Sequence, residues 1–203
     1  YMSVPFLCRY YQLTGNRSYL DDAARQFIGF KKRLFMPEQG YMAHVYDFNK
    51  GLATGIPWGR GNGWTIFSLT ELLEVLPADH ELRPELIAFL KELCHGYLAL
   101  QDEEGMWHQV LNDAESYPES SCTSMFMYAF CRAVRFGWLD GDEAIKKACT
   151  SAAFTAWKAL KRTSIDRFGN IHGVCRGSEF SFTPTYYKYE LLWTLNDTHG
   201  VGI

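Results

Sequence analysis

Three segments of the chain share a glycine that is followed three or four places later by a histidine. Successive histidines are 64 residues apart both times, and a turn sequence precedes each glycine. A glycine in this position is typical of a turn that leads into a short extended segment. A fixed period indicates stacked units, each too small to bury its own apolar surface. The pairs are Gly40 and His44, Gly105 and His108, and Gly169 and His172.

Helical patterns of two kinds flank these segments. An amphipathic pattern precedes each segment. The first begins at Ser18, with Asp21 as its capping-box partner, the second begins near Pro84 and the third near Asp142. Residues 64–76 and 122–136 follow the first two segments and are apolar on nearly every side, which is typical of helices buried all round. Each unit is therefore predicted to contain an outer helix, a turn with a short extended piece, and a buried inner helix.

Three such hairpins in 203 residues predict an all-α fold. We interpret residues 1–203 as a single domain, the C-terminal portion of an (α/α)6 toroid with about three of its six hairpins present. Residues 176–199 are predicted to be a long loop with one short helix, and residues 196–203 resemble the entry to a further inner helix. The structural alternative is a short helical solenoid, which would present a concave groove instead of a central pocket.

Composition excludes several classes of partner. The net charge is −3, and acidic and basic residues are interspersed. The sequence therefore has no basic cluster of the kind that binds nucleic acid. No apolar run is long enough to cross a membrane, and we expect a cytoplasmic protein. An aromatic content of 16% permits a ligand with apolar faces, such as a sugar. The six cysteines show no paired spacing and are expected to be buried free thiols.

Four motifs occur in order over nearly the whole chain. They are YMSVPFL at residues 1–7, PWGRGNGW at 57–64, GMWHQVLND at 105–113 leading to YPESSCTSMF at 117–126, and GNIHGVC at 169–175. Together they resemble the unsaturated glycuronyl hydrolases of glycoside hydrolase families 105 and 88. The resemblance implies a toroid without metal or cofactor. It also implies an oligosaccharide substrate that carries a 4,5-unsaturated uronic acid, as in pectin degradation.

The mechanism implied by the resemblance is hydration of the double bond. An aspartic acid protonates C4 and assists the addition of water at C5, after which the hemiketal rearranges and the sugar link is lost. The pKa of such a carboxyl group must be raised so that it is protonated at rest. In the family this aspartate lies four residues before the methionine that matches Met2, upstream of Tyr1. We therefore expect this chain alone to be inactive.

Five residues are predicted to bind substrate. Arg60 has the planar fork that pairs with a uronate carboxylate, although a structural salt bridge is the alternative. Trp58 and Trp64 flank it and could stack on a sugar ring or pack in the core. His44 matches a sugar-contacting histidine of the family, and Met2 would share the face of the missing aspartate.

Other polar residues are given structural roles. His108 and His172 are favoured as architectural, because a repeated residue often is, and their spacing gives little reason to expect zinc. Asn62 is expected to cap the inner helix. Solvated turn positions are expected for Asp47, Asp113, Glu119 and Asp197, and His199 is a weaker candidate for the pocket.

Two alternatives and one question of assembly remain open from the sequence. The first alternative is another α/α-toroid sugar enzyme, an epimerase or a glycanase. The second is a non-catalytic sugar-binding or helical scaffold module. We expect a monomer or a weak dimer, because a half-toroid would expose apolar edges through which two copies could associate.

Overall fold

The computed structural model describes residues 3–201, which contain seven α-helices, two short π-helical segments at Leu160–Ser164 and Tyr186–Glu190, and six two-residue strands. The helices are α1 (Ser3–Thr14), α2 (Ser18–Leu34), α3 (Gly59–Val75), α4 (Arg83–Leu98), α5 (Ser120–Arg135), α6 (Glu143–Ala159) and α7 (Thr198–Val201). The strands are β1 (Phe35–Met36), β2 (Tyr41–Met42), β3 (Tyr46–Asp47), β4 (Leu52–Ala53), β5 (Val174–Cys175) and β6 (Trp193–Thr194). They form three antiparallel pairs, β1–β2, β3–β4 and β5–β6.

The long helices form two rows. Helices α1, α3 and α5 pack side by side as an inner row, with α7 against α5, while α2, α4 and α6 form the outer row. The predicted alternation of outer and inner helices is therefore confirmed. Helices α3 and α5 bury side chains on most of their surface, because they contact inner neighbours on both sides and outer helices behind.

A buried carboxylate links the three inner helices. Glu71 of α3 accepts hydrogen bonds from Arg9 of α1 at 2.5 Å and from Tyr128 of α5 at 3.0 Å, one at each oxygen. Arg132 of α5 lies 3.0 Å from the oxygen that Tyr128 contacts. A buried charge is tolerated when it is paired and hydrogen-bonded, so this cluster fixes the relative positions of the inner helices.

The turn glycines behave as the repeat predicts. Gly40, Gly105 and Gly169 have φ angles of 75°, 97° and 81°, in the left-handed region that favours glycine. Gly40 also contacts Gly96 of α4 so closely that a Cβ on Gly96 would lie 2.0 Å from the Gly40 carbonyl oxygen. The first turn of the repeat is thus packed directly on an outer helix, backbone against backbone.

Two local predictions are corrected and one is extended. Ser18 and Asp21 form no capping box: Asn16 accepts the Ser18 amide at 3.0 Å, and Asp21 lies 3.2 Å from His80. The Asn62 side chain does not cap α3, because no side chain among the described residues accepts a hydrogen bond from a backbone amide at the start of that helix. The contacts that Asn62 makes instead are described below. The loop over residues 176–199 has the expected short helical turn, which is a π-turn at Tyr186–Glu190, and it also pairs β6 with β5.

The contact between the two glycines gives a stability prediction. Gly96→Ala should lower the free energy of unfolding by about 1–3 kcal/mol, because its methyl group would overlap the backbone atoms of Gly40. Gly29→Ala is the matched control, since Gly29 is a helical glycine of α2 and an added methyl group would meet nothing within 4 Å. That change should raise the free energy by about 0.5–1 kcal/mol. Urea unfolding followed by circular dichroism measures both, and equal effects would contradict the packing argument.

Candidate functional site

The segment between α2 and α3 carries the first part of the site. After the β1–β2 hairpin, the His44 amide donates to the Ile56 carbonyl at 2.9 Å, on the far side of the β3–β4 hairpin. The chain then reaches Trp58, which precedes α3 and bridges to Val110. The Trp58 indole donates to Gln109 Oε1 at 3.1 Å. Histidine and tryptophan are thereby held beside the N-terminus of α3.

A cleft of about 280 Å³ opens at this point. Three of the predicted residues, His44, Trp58 and Trp64, line it together. The His44 and Trp58 rings lie 4.5 Å apart between centroids. Gly61 allows this approach, because a Cβ there would lie 3.1 Å from Trp58 and 3.5 Å from His44. The other lining residues are Val4, Phe27, Phe30, Leu34, Met42, Ala43, Gly61, Thr65 and Ser68.

His44 is a neutral ring in this environment. Its Nδ1 lies 2.7 Å from the Tyr187 hydroxyl, and the side chain is partly buried. Burial disfavours the charged imidazolium and lowers the pKa of His44 from 6.5 to about 4. Tyr187 was not predicted from the sequence, where it lies in an aromatic-rich stretch without a motif.

The two other aligned histidines do not join His44 at the cleft. His108 contacts Asp102 at 3.0 Å and the Ser116 carbonyl at 2.5 Å, and His172 contacts Asp166 at 3.3 Å. Each aspartate lies six residues before its histidine, in the turn. These contacts support the architectural interpretation. Among residues 3–201, no group of three His, Cys, Asp or Glu side chains is arranged to hold a metal ion.

Arg60 lies behind the cleft, only 1% exposed. Its Nε donates to Ser121 Oγ at 3.1 Å, its Nη2 lies 3.8 Å from Glu119, and its Cζ lies 5.6 Å from the Trp58 ring. Nη2 has no hydrogen-bond partner within the described part of the chain. The structural salt bridge is thus present, and the role of Arg60 in substrate binding stays a prediction.

Glu119 corrects an expectation, because it is not a solvated turn residue but is fully buried. Its carboxylate accepts the Ser121 hydroxyl at 2.8 Å, the Cys122 amide at 2.7 Å and the Cys175 amide at 2.9 Å. It is the N-cap of α5 and at the same time an anchor for β5. The preferred N-cap residues are Ser, Thr, Asp and Asn, so no local sequence signal pointed to Glu119, rather than to the serines after it, as the cap.

Asn62 has a structural role, but the contacts differ from the expected cap. Its side chain accepts the Met42 amide at 2.8 Å and donates to the Met42 carbonyl at 2.9 Å. It also donates to the Trp58 carbonyl at 3.0 Å and accepts the Tyr97 hydroxyl at 3.0 Å. Asn62 therefore fixes strand β2, and with it the approach of His44, on α3.

The remaining predicted residues have different outcomes. Met2 lies outside the described residues. Trp64 is partly buried, and it lines both the cleft and a larger apolar groove of about 790 Å³ between α3, α5 and α6. His199, within α7, contacts Asp197 at 2.6 Å and does not line the cleft.

No helix in the described part of the chain is long and apolar enough to cross a membrane.

The pKa of His44 predicts how stability depends on pH. Between about pH 6.5 and pH 4 the unfolded chain binds a proton at His44 that the folded chain does not. The stability contributed by the neutral ring is complete above pH 6.5 and is lost as the pH falls towards 4. His44→Gln should flatten this part of the profile of unfolding free energy, whereas His95→Gln, at an exposed ring, should not. Urea unfolding at a series of pH values provides the measurement, and parallel profiles for the two variants would refute the assignment.

Comparisons with known proteins agree with this fold. The sequence model of Glycosyl Hydrolase Family 88 matches residues 1–203. Protein Atu3128 of Agrobacterium fabrum is 34% identical over 224 residues, which cover 99% of this chain and 94% of that protein. The unsaturated rhamnogalacturonyl hydrolase YesR of Bacillus subtilis is 31% identical over 121 residues, covering 59% of this chain and 35% of that protein.

Solved structures confirm the predicted fold class. A possible member of family 105 from Salmonella enterica serovar Paratyphi A superposes with a TM-score of 0.88 and 25% identity. The match covers 98% of this chain and 51% of that one, so the chain spans about half the length of this solved relative. An all-α partial toroid and glycoside hydrolase membership are thereby confirmed: the chain belongs to glycosyl hydrolase family 88.

Proposed function

We propose that the protein is an unsaturated glycuronyl hydrolase that releases 4,5-unsaturated uronic acid from oligosaccharides by hydration of the double bond. The observation that carries the proposal is the convergence of His44, Trp58 and Trp64 on one cleft at the start of α3. A relative named as an unsaturated rhamnogalacturonyl hydrolase supports the substrate class. A cytoplasmic location and a place in pectin degradation belong to the same proposal.

The cleft has groups suited to an anionic sugar ring. The indoles of Trp58 and Trp64 offer flat apolar faces on which the CH groups of a sugar pack. Gly61 lines the cleft in the first turn of α3, where the partial positive charge of the helix favours a carboxylate. His44 adds a hydrogen-bonding ring nitrogen beside Trp58.

Arg60 has a conditional role in this proposal. Its buried Nη2 has no hydrogen-bond partner in the described chain and could pair with a uronate carboxylate. Such contact requires neighbouring side chains to move, because the guanidinium is closed to solvent in this structure. Without that movement, Arg60 would act only by supporting Trp58 and by pairing with Glu119.

The acid that protonates C4 is proposed to come from upstream of Tyr1. None of the described residues that line the cleft is an aspartate or a glutamate. The buried Glu119 is already bound by three hydrogen-bond donors, Ser121 and the amides of Cys122 and Cys175. We therefore propose that the 203-residue chain supplies binding groups, and that turnover requires the preceding aspartate.

The test uses unsaturated galacturonyl and glucuronyl disaccharides, whose ultraviolet absorbance disappears on hydration. The 203-residue chain should bind a disaccharide in calorimetry without turnover, and a form extended upstream should hydrolyse it. Trp64→Ala should weaken binding about two- to tenfold, through loss of ring packing. Trp193→Ala is the control, because Trp193 is an exposed indole that does not line the cleft.

Other outcomes would redirect the assignment. Binding without turnover in both forms would favour a sugar-binding module, and conversion without loss of the double bond would favour an epimerase or a glycanase. Absence of binding and turnover in both forms would refute the proposal. Equal binding losses for Trp64→Ala and Trp193→Ala would place the substrate elsewhere than in this cleft.

We also propose that the 203-residue chain associates weakly with a second copy of itself. Apolar side chains are exposed at both ends of the helical rows: Phe6 and Leu13 on α1 are 63% and 81% exposed, and Phe154 and Trp157 on α6 are 65% and 47% exposed. The last two line the apolar groove between α3, α5 and α6. A two-fold pair could place the α1 end of each copy against the groove of the other, which covers both patches at once.

Sedimentation velocity over a range of concentrations tests this association. The unmodified chain should show a sedimentation coefficient that rises with concentration, whereas Trp157→Glu should remain monomeric because it places a charge in the groove. Phe168→Glu is the matched control, since this 75% exposed ring lies outside the groove. A monomer at every concentration, or equal association of both variants, would contradict the proposal.

A further inference from the structure

The C-terminal loop over residues 176–199, here called the tail, places a buried tyrosine against His44, behind the cleft. Tyr187 belongs to the π-turn Tyr186–Glu190, and its side chain is fully buried. Its hydroxyl lies 2.7 Å from His44 Nδ1, and the two rings meet nearly edge to face at 73° with centroids 5.7 Å apart. Residues separated by 143 positions in the sequence are thus joined by one short hydrogen bond.

The tail is anchored so that this tyrosine cannot easily move away. Tyr187 packs in an apolar cluster with Trp58, Val110, Cys175 and Leu191. The Leu191 carbonyl, four residues on, accepts the Tyr117 hydroxyl at 3.0 Å and lies 3.4 Å from the Gln109 side-chain amide. The same Gln109 accepts the Trp58 indole, so the tail and the cleft share one polar support.

The surroundings of the Tyr187 hydroxyl indicate which partner carries the proton. A phenol has one hydrogen to donate and lone pairs that accept. The Ser181 amide donates to the Tyr187 oxygen at 3.2 Å, so one accepting position is occupied. The other partner of this hydroxyl within residues 3–201 is His44 Nδ1. The phenolic hydrogen is satisfied only if it points at Nδ1, which then accepts.

A neutral imidazole carries one proton, and its position follows from this arrangement. Since Nδ1 accepts from the phenol, the proton resides on Nε2. Burial keeps the ring neutral at pH values near 7, because the pKa of His44 is lowered to about 4. No carboxylate or ammonium group is among the described residues that line the cleft.

We propose that Tyr187 is a positioning residue that fixes His44 in the Nε2–H tautomer, so that His44 acts as a neutral hydrogen-bond donor towards a ligand oxygen. The ring then does not serve as a general base, because its accepting nitrogen is occupied by the phenol. The ligand oxygen would be a hydroxyl or carboxylate oxygen of a sugar. Only this last identification rests on the proposed function.

Long-range proton–nitrogen correlation spectra of the 15N-labelled chain test the tautomer directly. The His44 signals are assigned by their loss in His44→Gln. The unmodified chain should show a protonated Nε2 and an unprotonated Nδ1 at pH 7. Tyr187→Phe should shift both nitrogens towards values averaged over the two tautomers. Tyr186→Phe is the matched control, since its hydroxyl contacts the Glu179 amide and not His44, and it should leave the His44 signals unchanged.

Either of two results would overturn the proposal. One is an Nδ1–H tautomer in the unmodified chain, and the other is a His44 spectrum that is identical in folded Tyr187→Phe. If Tyr187→Phe does not fold, the spectrum of the unmodified chain still decides, because the two tautomers give opposite patterns.

Disaccharide binding separates this inference from the proposed function. Tyr187→Phe should weaken binding about two- to tenfold if the oriented Nε2–H contacts the sugar, while Tyr186→Phe should not. An Nε2–H tautomer that depends on Tyr187, found in a chain that binds no unsaturated disaccharide, would sustain the inference and refute the proposed substrate. If the chain binds the disaccharide but His44 lacks an Nε2–H tautomer that depends on Tyr187, the inference is refuted and the proposed substrate is not.

Discussion

The Glu119 carboxylate is the interaction on which the site depends. It is fully buried, and a buried charge is stable only when its oxygens are hydrogen-bonded or paired. Its partners come from three separate parts of the chain. Ser121 and the Cys122 amide donate hydrogen bonds from the start of α5, the Cys175 amide donates one from β5, and Arg60 of α3 forms an ion pair at 3.8 Å. Satisfying this one carboxylate therefore brings the starts of two inner helices and strand β5 to the same place.

The geometry of the cleft follows from these contacts of the Glu119 carboxylate. Once Cys175 is fixed, the β5–β6 pair and the π-turn behind it direct Tyr187 against Trp58 and His44. On the opposite side, Asn62 holds Met42 on α3, which sets the position of the strand that leads to His44. His44 is thus fixed from two directions by residues that do not themselves line the opening. The polar networks beneath the cleft supply the rigidity that loops alone would lack.

The sequence predicted what depends on local pattern and failed where the partner is distant. The 64-residue period and the apolar faces predicted the order of outer and inner helices, and the positive φ of Gly40, Gly105 and Gly169 confirmed the turns. The motif around Trp58 and Trp64 indicated the cleft. Glu119 was placed in solvent because a carboxylate in a loop is usually exposed, and its donors lie up to 56 residues away. Tyr187 has no local signature, since its role depends on a contact formed only in the folded chain.

The repeat also explains why one of three equivalent histidines is available to the cleft. His108 and His172 are each held by an aspartate six residues earlier, in the turn of their own unit. In the first unit the corresponding turn position, three before the glycine, is Pro37, which has no carboxylate, and the neighbouring Glu38 is exposed. His44 instead has the Tyr187 hydroxyl as its partner, at its other ring nitrogen. In two units a carboxylate contacts Nε2 and the histidine closes its own turn. In the first unit the tail tyrosine occupies Nδ1, which leaves Nε2 for the cleft. A difference of partner, rather than of the histidine itself, therefore distinguishes the repeat whose histidine lines the cleft from the two whose histidines do not.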